Sequence, residues 1–244
     1  MRVVLLGTGG FHPNERRHTL CVMLPQIGLL LDAGTSVFRV ADRLQTDEVD
    51  IFLTHAHLDH IAGLTFFLVP MLDGRVRQAR LHGRPETLEA VRRHLFSERV
   101  FPVLPGYEHV NLEDEVPVGR DGMLRYVPLV HPGGSVGFRI DWPECSMAYI
   151  TDTTVDGSYT EFVRGVDLLI HECYFPDGDS EWSAKTGHSN TTPVAELARN
   201  AQVGQLVLVH MDPSREEDDL AGLEAARKVF PQTQFGEDLM EIEI

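Results

Sequence analysis

The sequence is poor in cysteine and has no long apolar run, and each absence excludes a class of protein. Cys21, Cys145 and Cys173 are the three cysteines among 244 residues, and they lie too far apart in sequence for a disulfide framework or a Cys-x-x-Cys metal site to be legible. No apolar run approaches the roughly 18 residues that a membrane-spanning helix requires. The opening Met1 to Gly7 has the pattern of a strand rather than a signal peptide, so we expect a cytoplasmic protein with reduced cysteines.

Basic residues are also scarce. Lysine and arginine number 21 against 37 aspartates and glutamates, which gives a formal net charge of −16. Proteins that bind nucleic acid through its phosphates usually present a basic face. The charge therefore disfavours a large nucleic acid as partner, and it leaves open a small anionic substrate that bound metal ions would hold directly.

The apolar residues that are present follow a mixed pattern. Short runs with the alternation or continuity of strands recur along the chain, and helical spacing occurs at residues 86–96, 192–200 and 216–229. No repeat of fixed period, low-complexity linker or change of composition divides the sequence. We therefore predict one α/β domain that spans residues 1–244.

The densest chemical signal is the segment His55-Ala56-His57-Leu58-Asp59-His60, which directly follows an apolar run at residues 49–53. Imidazoles and carboxylates are costly to bury without partners, so a hydrophobic core does not explain four of them in six positions. On a turn at the end of a strand they can splay into two pairs of ligands. The segment therefore predicts a site for divalent metal ions.

Three further candidates stand immediately after apolar runs: His131, Asp152 and His210. In open α/β sheets, functional side chains gather beyond the carboxyl ends of strands. The candidates then form two ligand groups and one shared carboxylate: His55, His57 and His131; Asp59, His60 and His210; and Asp152 between them. Such a set leaves positions for water and substrate, as catalytic metal sites do. Without cysteine ligands the types suit two divalent ions, zinc first, with manganese or iron as alternatives.

This ligand pattern resembles that of metallo-β-lactamase-fold hydrolases, and within them the ribonuclease Z branch. Residues 55–60 match the superfamily's HxHxDH segment, and the later His, Asp and His follow in its order. Four further elements resemble those of the branch: Leu6 to Gly9 with Pro13 and Arg17, Gly137 to Arg139, His171 to Cys173, and Gly187 to Asn190. The resemblance implies a four-layer αββα sandwich, seven metal ligands at the positions above, and a homodimer.

The resemblance also implies phosphodiester hydrolysis by a metal-activated water. In that chemistry Asp59 would ligate and orient the nucleophile, and His188 would donate a proton to the leaving group. Glu172 would orient His188, as carboxylates fix imidazoles at other metal sites. Three aromatic residues near these elements are candidates to stack on a nucleobase: Tyr174, Phe175 and Trp182.

Two departures from the ribonuclease Z pattern bear on the substrate. The segment from His131 to Asp152 is too short for the arm with which tRNA-processing members grip tRNA, and Glu15 and His18 stand where those enzymes tend to have Lys and Asn. We therefore expect a small or cyclic nucleotide phosphodiester, as in the similar armless anti-Pycsar phosphodiesterases. The alternatives are a tRNA 3′-processing endoribonuclease, a lactone, thioester or sulfate ester hydrolase, and a non-catalytic binding module stabilised by metal.

Overall fold

The computed structural model describes residues 1–215 and 222–244, and these residues cluster into two compact units. The first unit consists of Met1–Thr8, His12–Glu113 and Asp238–Glu243, and the second consists of Gly9–Phe11, Asp114–Glu237 and Ile244. Each unit contains one mixed seven-stranded sheet with helices on it. Two such sheets confirm the predicted α/β class. That the chain acts as one domain over residues 1–244 stays a prediction.

The sheet of the first unit has the strand order β14-β1-β2-β3-β4-β5-β6. Its strands are β1 (Arg2–Gly7), β2 (Cys21–Leu24), β3 (Leu29–Leu31), β4 (Glu48–Phe52), β5 (Gln78–Gly83), β6 (Glu108–Asn111) and β14 (Met240–Glu243). Strands β3 to β6 pair in parallel, and the other pairs are antiparallel. Parallel pairing brings the carboxyl ends of β3 and β4 to one edge of the sheet, where polar residues follow both strands.

The helices of the first unit are short and irregular. They are α1 (Leu58–Ile61), α2 (Leu68–Leu72), α3 (Pro85–Ala90), the 3₁₀ segments Thr35–Arg39 and Ala62–Phe67, and the π-helical Val91–Leu95. Alternate residues of β4, Val49 and Ile51, are fully buried in a core that also contains Leu64 and Phe67. This core anchors the segment that follows β4. The helix predicted at residues 86–96 is present, but its second half has π geometry.

The sheet of the second unit has the order β13-β12-β11-β10-β9-β8-β7. Its strands are β7 (Glu115–Val118), β8 (Gly122–Leu129), β9 (Ser135–Asp141), β10 (Ser146–Ile150), β11 (Leu168–Glu172), β12 (Gln205–Val209) and β13 (Thr233–Phe235). Strands β10 to β13 are parallel, and β7 to β10 form antiparallel neighbours. The span from His131 to Asp152 is thus the β9–β10 hairpin and its turns, as the sequence predicted.

The described part of the second unit has three α-helices: α4 (Ser180–Thr186), α5 (Thr191–Asn200) and α6 (Leu223–Val229). Buried residues of α5, among them Val194 and Ala198, share a core with Ile150, Leu169 and Leu208 of the sheet. Of the helix predicted at residues 216–229, the part at 216–221 lies outside the described residues. Within the described ranges no helix has the length and apolar character needed to cross a bilayer.

Candidate metal centre

The first ligand set (His55, His57, Asp59 and His60) occupies the turn after β4 and the start of α1. His57 precedes α1 with an extended backbone, so the chain turns sharply before Asp59 and His60 enter the helix. The ring centroid of His55 lies 4.4 Å from that of His57 and 4.4 Å from that of His60. His55 and His60 are buried, whereas His57 is exposed and Asp59 is partly exposed. The turn therefore brings the three imidazoles together, two of them buried and that of His57 exposed to solvent.

A further carboxylate, that of Asp32, lies beside this set, and no sequence motif pointed to it. Asp32 directly follows β3, and its carboxylate is fully buried. The Nδ1 of His60 lies 2.8 Å from Asp32 Oδ2, and the Thr54 amide donates to Oδ1 at 2.8 Å. The Thr54 hydroxyl also donates to Asp32 and lies 3.0 Å from the Nδ1 of His55. This network assigns the ring protons to Nδ1 and leaves Nε2 as the ligating atom of both imidazoles.

The second ligand set (His131, Asp152 and His210) comes from three different strand ends. His131 follows β8, Asp152 follows β10 and His210 follows β12. The Nε2 of His210 lies 3.3 Å from Asp152 Oδ1, and the Nε2 of His131 lies 3.5 Å from Oδ2. The Nδ1 of His131 donates to the Gly187 carbonyl at 3.0 Å. Each oxygen of Asp152 thus faces a different imidazole.

His188 lies beside this second set and is held by Glu172. Glu172 is fully buried, and its Oε1 accepts hydrogen bonds from the Thr153 and Ser189 amides at 3.0 and 3.1 Å. The Nδ1 of His188 lies 3.1 Å from the same oxygen. Burial raises the pKa of Glu172, but the imidazoles of His188 and His210 outweigh burial and keep that pKa below its ordinary value. The predicted contact between Glu172 and His188 is present.

The alternative role for His188 is that of a ligand. One ligand atom from each of Asp152, His188 and His210 lies within 4.8 Å of the others. His188 is partly exposed, while the other two are buried. The geometry therefore allows His188 to bind a metal ion as well as to transfer a proton, and mutation distinguishes the two roles.

Backbone geometry around the ligands is unusual. Asp32, Asp152 and His210 have positive φ angles of 58°, 50° and 58°, although none of them is glycine. Such conformations are uncommon outside glycine, although Asp and His adopt them more often than most residues, and strained backbone of this kind clusters at functional sites. Gly10 packs directly on His210, because a Cβ built at Gly10 would lie 2.6 Å from the Cε1 of His210. The opening loop of the sequence therefore fixes a ligand ring by close backbone approach.

His171 does not belong with the candidate ligands. Its ring is fully buried, with Nδ1 2.7 Å from the Glu172 carbonyl oxygen and Nε2 2.9 Å from the Tyr159 hydroxyl. Burial lowers the pKa of His171, which favours the neutral ring. Both ring nitrogens of His171, a residue of β11, thus have partners within the core.

Trp182 is 57% exposed, with the Lys185 ammonium 4.7 Å from its ring centroid.

Each ligand set fits a divalent metal ion by the chemistry of its donors. Neutral imidazole Nε2 atoms and carboxylate oxygens are the ligand types of zinc, manganese and iron. In both sets a second ring nitrogen is engaged by a carboxylate, hydroxyl or carbonyl, as is usual for imidazoles that bind metal. The His/Asp clusters can therefore hold divalent metal.

Comparison with known proteins identifies the family. The profile of the "Beta-lactamase superfamily domain" matches residues 28–211, a range that contains all seven candidate ligands. The chain belongs to this superfamily. Within the superfamily it is 30% identical to ribonuclease Z of Methanosarcina acetivorans, an alignment that covers 100% of this chain and 98% of the relative. The resemblance to the ribonuclease Z branch is thereby confirmed, and the protein is a metal-dependent hydrolase.

Solved structures confirm the fold of this superfamily member. The metallo-β-lactamase-fold protein YhfI from Bacillus subtilis matches with a TM-score of 0.82 at 21% identity, over 99% of this chain and 98% of its own. The short form of human tRNase Z matches with a TM-score of 0.75 at 22% identity, over 100% and 99%. The predicted metallo-β-lactamase-type α/β fold is therefore correct.

Proposed function

We propose that this ribonuclease Z-like protein is a dinuclear metal-dependent phosphodiesterase that hydrolyses a small or cyclic nucleotide phosphodiester. The observation that carries the proposal is the pair of contacts made by Asp152, whose two oxygens face different imidazoles. A candidate proton donor, His188, lies beside the same carboxylate and is held by a buried glutamate. A carboxylate shared by two imidazoles, beside a positioned acid, suits cleavage of an ester whose leaving group needs a proton.

The seven residues that would hold the metal pair are His55, His57, Asp59, His60, His131, Asp152 and His210. Zinc is the ion that we expect first, because the set contains imidazoles and carboxylates and no thiolate. A bound pair of divalent ions would polarise the phosphoryl oxygens and lower the pKa of a water molecule to about 7.

The remaining chemistry falls to side chains of the chain itself. Asp59, partly exposed in the first turn of α1, would accept a hydrogen bond from the attacking water and aim it at phosphorus. His188 would transfer its Nε2 proton to the leaving oxygen as the P–O bond breaks, while its Nδ1 remains on Glu172. A well-placed general acid of this kind contributes about 10²–10⁴-fold to the rate.

The preference for a small substrate rests on three observations. The β9–β10 hairpin takes up the span between His131 and Asp152, so this chain has no arm there. The alignment with the Methanosarcina acetivorans ribonuclease Z extends over 308 positions, whereas this chain has 244 residues, so the relative has segments that this chain lacks. The net charge of −16 opposes long-range attraction of a polyanion.

Cleavage of tRNA 3′ ends is the second candidate, and the 30% identity to a ribonuclease Z favours it. An armless chain would then need another surface to hold tRNA. Glu15 in the opening loop places a negative charge at a position where the related pattern has a cation, which weakens the case for tRNA cleavage.

One set of assays distinguishes these functions. Protein loaded with zinc, manganese or iron would be given bis(p-nitrophenyl) phosphate, cyclic mononucleotides, precursor tRNA and a lactone in parallel. The proposal expects turnover of the diesters and little cleavage of tRNA. Absence of diesterase activity with every metal would overturn it, and site-specific cleavage of precursor tRNA would support the second candidate. An Asp152→Asn variant controls for contaminating enzymes, because it removes one of the bridging oxygens.

We also propose that the protein is a homodimer. Phe38, Phe66, Val69 and Leu72 of the first unit are 53%, 43%, 61% and 75% exposed. A cavity of about 270 Å³ is lined by the first three of these and by Asp42 and Arg75. Because a two-fold interface uses the same patch twice, its two opposite charges can pair across the axis with those of a second copy.

Light scattering on the wild type should give twice the chain mass, and a Leu72→Lys, Val69→Glu variant should give the monomer mass. A monomeric wild type would contradict the proposal.

A further inference from the structure

The Tyr174 ring packs against two histidines of the second unit, His188 and His210. Its ring centroid is 5.0 Å from that of His188, with an interplanar angle of 23°, and 5.6 Å from that of His210. The rings of His188 and His210 are themselves 5.2 Å apart at 26°. Tyr174 was a candidate to stack on a nucleobase, yet in the structure its ring already stacks on an imidazole.

The segment that carries Tyr174 is fixed by the residues that hold His188. Glu172 Oε2 accepts a hydrogen bond from the Tyr174 amide at 3.1 Å, while Oε1 contacts His188 Nδ1. Phe175 forms an isolated β-bridge with Asn190 and donates its amide to the Ser189 carbonyl. The residues after Glu172 and those after His188 are therefore joined, and the Tyr174 ring is held across the His188 ring.

A hydrogen bond to Nδ1 alone does not determine where Nε2 points. The terminal torsion of a histidine, the rotation about its Cβ–Cγ bond, is broad, so one hydrogen bond to Nδ1 restricts the ring but does not set its plane. A stacked neighbour restricts this freedom, because tilting the ring would separate the two faces and lose the aromatic contact. The Glu172 oxygen thus holds the Nδ1 atom of His188, and the face of the Tyr174 ring holds the plane of the His188 ring.

We infer that Tyr174 is a positioning residue that fixes the ring plane of His188, and thereby the direction of its proton transfer, through its aromatic face. The inference rests on the proposed role of His188 as general acid. It assigns the effect to the ring rather than to the hydroxyl. Tyr174→Phe should therefore behave as the wild type, and Tyr174→Leu should not.

Two measurements test the inference on the full-length protein. In metal-free protein, the long-range ¹H–¹⁵N resonances of the His188 ring, assigned by their loss in His188→Ala, should shift in Tyr174→Leu and stay in place in Tyr174→Phe. In zinc-loaded protein, Tyr174→Leu should lower kcat for bis(p-nitrophenyl) phosphate about tenfold or more, as misplacement of a catalytic group does, with KM and metal content unchanged. Tyr126→Leu, a partly buried tyrosine of β8, serves as the matched control and should alter neither readout.

The outcomes decide between distinct roles. Unchanged His188 resonances in Tyr174→Leu would overturn the inference, and so would a Tyr174→Phe variant as impaired as Tyr174→Leu, since the hydroxyl would then matter. A raised KM with kcat preserved would also overturn it, in favour of contact with the substrate. Wild-type protein without diesterase activity would defeat the proposed function, but the metal-free spectra would still decide whether Tyr174 places the ring.

Discussion

Each unit of the molecule contains a fully buried carboxylate beside an imidazole, and the two carboxylates are used differently. Asp32 of the first unit supports two imidazoles, His60 directly and His55 through the Thr54 hydroxyl. Glu172 of the second unit accepts from three backbone amides and contacts one imidazole, that of His188. The same chemical group thus orients two candidate metal ligands in one unit and ties together loop segments around His188, the proposed proton donor, in the other.

Substitution of His188 by Ala should have the largest effect on activity and tests the role assigned to the second unit. Loss of a general acid should lower kcat for the diester by about 10²–10⁴-fold. Metal content, measured by inductively coupled plasma mass spectrometry, should stay at the wild-type level. Equal loss of metal and activity would instead make His188 a ligand, and the contrast between the two carboxylates would disappear.

Asp32→Ala should weaken metal binding, because it removes the acceptor that directs two imidazoles. Loss of such support at metal sites costs about 10–100-fold in affinity or activity. It also leaves buried donors of Thr54 and His60 without their acceptor, which should lower the free energy of unfolding by about 3 kcal/mol. Titration with zinc and urea unfolding measure the two effects. Wild-type zinc affinity in a folded Asp32→Ala protein would contradict the role given to Asp32.

Glu172→Gln should separate turnover from metal binding in the second unit. The amide keeps one acceptor oxygen, so we expect a loss of about 1–3 kcal/mol in the free energy of unfolding. His188 loses its carboxylate partner, and kcat should fall about 10- to 100-fold because the proton donor is misaligned. Zinc content should be unchanged, in contrast to Asp32→Ala. A Glu172→Gln protein that loses zinc would show that both carboxylates serve the ligands.

Gly10→Ala should have the smallest effect and tests the close approach of the opening loop to His210. The added Cβ would lie 2.6 Å from the ring, so either the loop or the ligand must shift. Overpacking of this kind costs about 1–3 kcal/mol, and it should appear in zinc affinity as well as in unfolding. Gly178→Ala is the control, since a Cβ there meets nothing within 4 Å. Equal zinc affinity in both variants would show that Gly10 does not restrain His210.

The two units also differ in how much of their candidate ligand sets could be predicted from the sequence. The first ligand set is contiguous, so His55 to His60 could be identified directly as a motif in the sequence. The second set is scattered, and only the position of each residue after an apolar run indicated it. Asp32 has the same signal, directly after Leu29–Leu31, but a lone carboxylate near a turn did not stand out among the imidazoles.

Contacts across the second unit could not be predicted in this way. The stacking of Tyr174 on His188 depends on the pairing of residues 175 and 190, which periodicity does not reveal. The helical turns Thr35–Arg39 and Ala62–Phe67 were also hard to predict as 3₁₀ segments, because their apolar spacing is that of an ordinary helix. Some strands, such as β10, by contrast, coincide with apolar runs beside Gly- or Pro-containing turns.

The β9–β10 hairpin has a practical consequence for protein engineering. Its turn carries exposed Pro143 and Glu144, whereas its strands are bound into the sheet on both sides. Exposed turns tolerate insertions, and the entropic cost of a longer loop rises only slowly with its length. A recognition module grafted between Pro143 and Glu144 would be expected to leave the ligand residues in place. The hairpin turn is therefore an attachment point for an added domain, and it lies at the opposite end of β9 and β10 from His131 and Asp152.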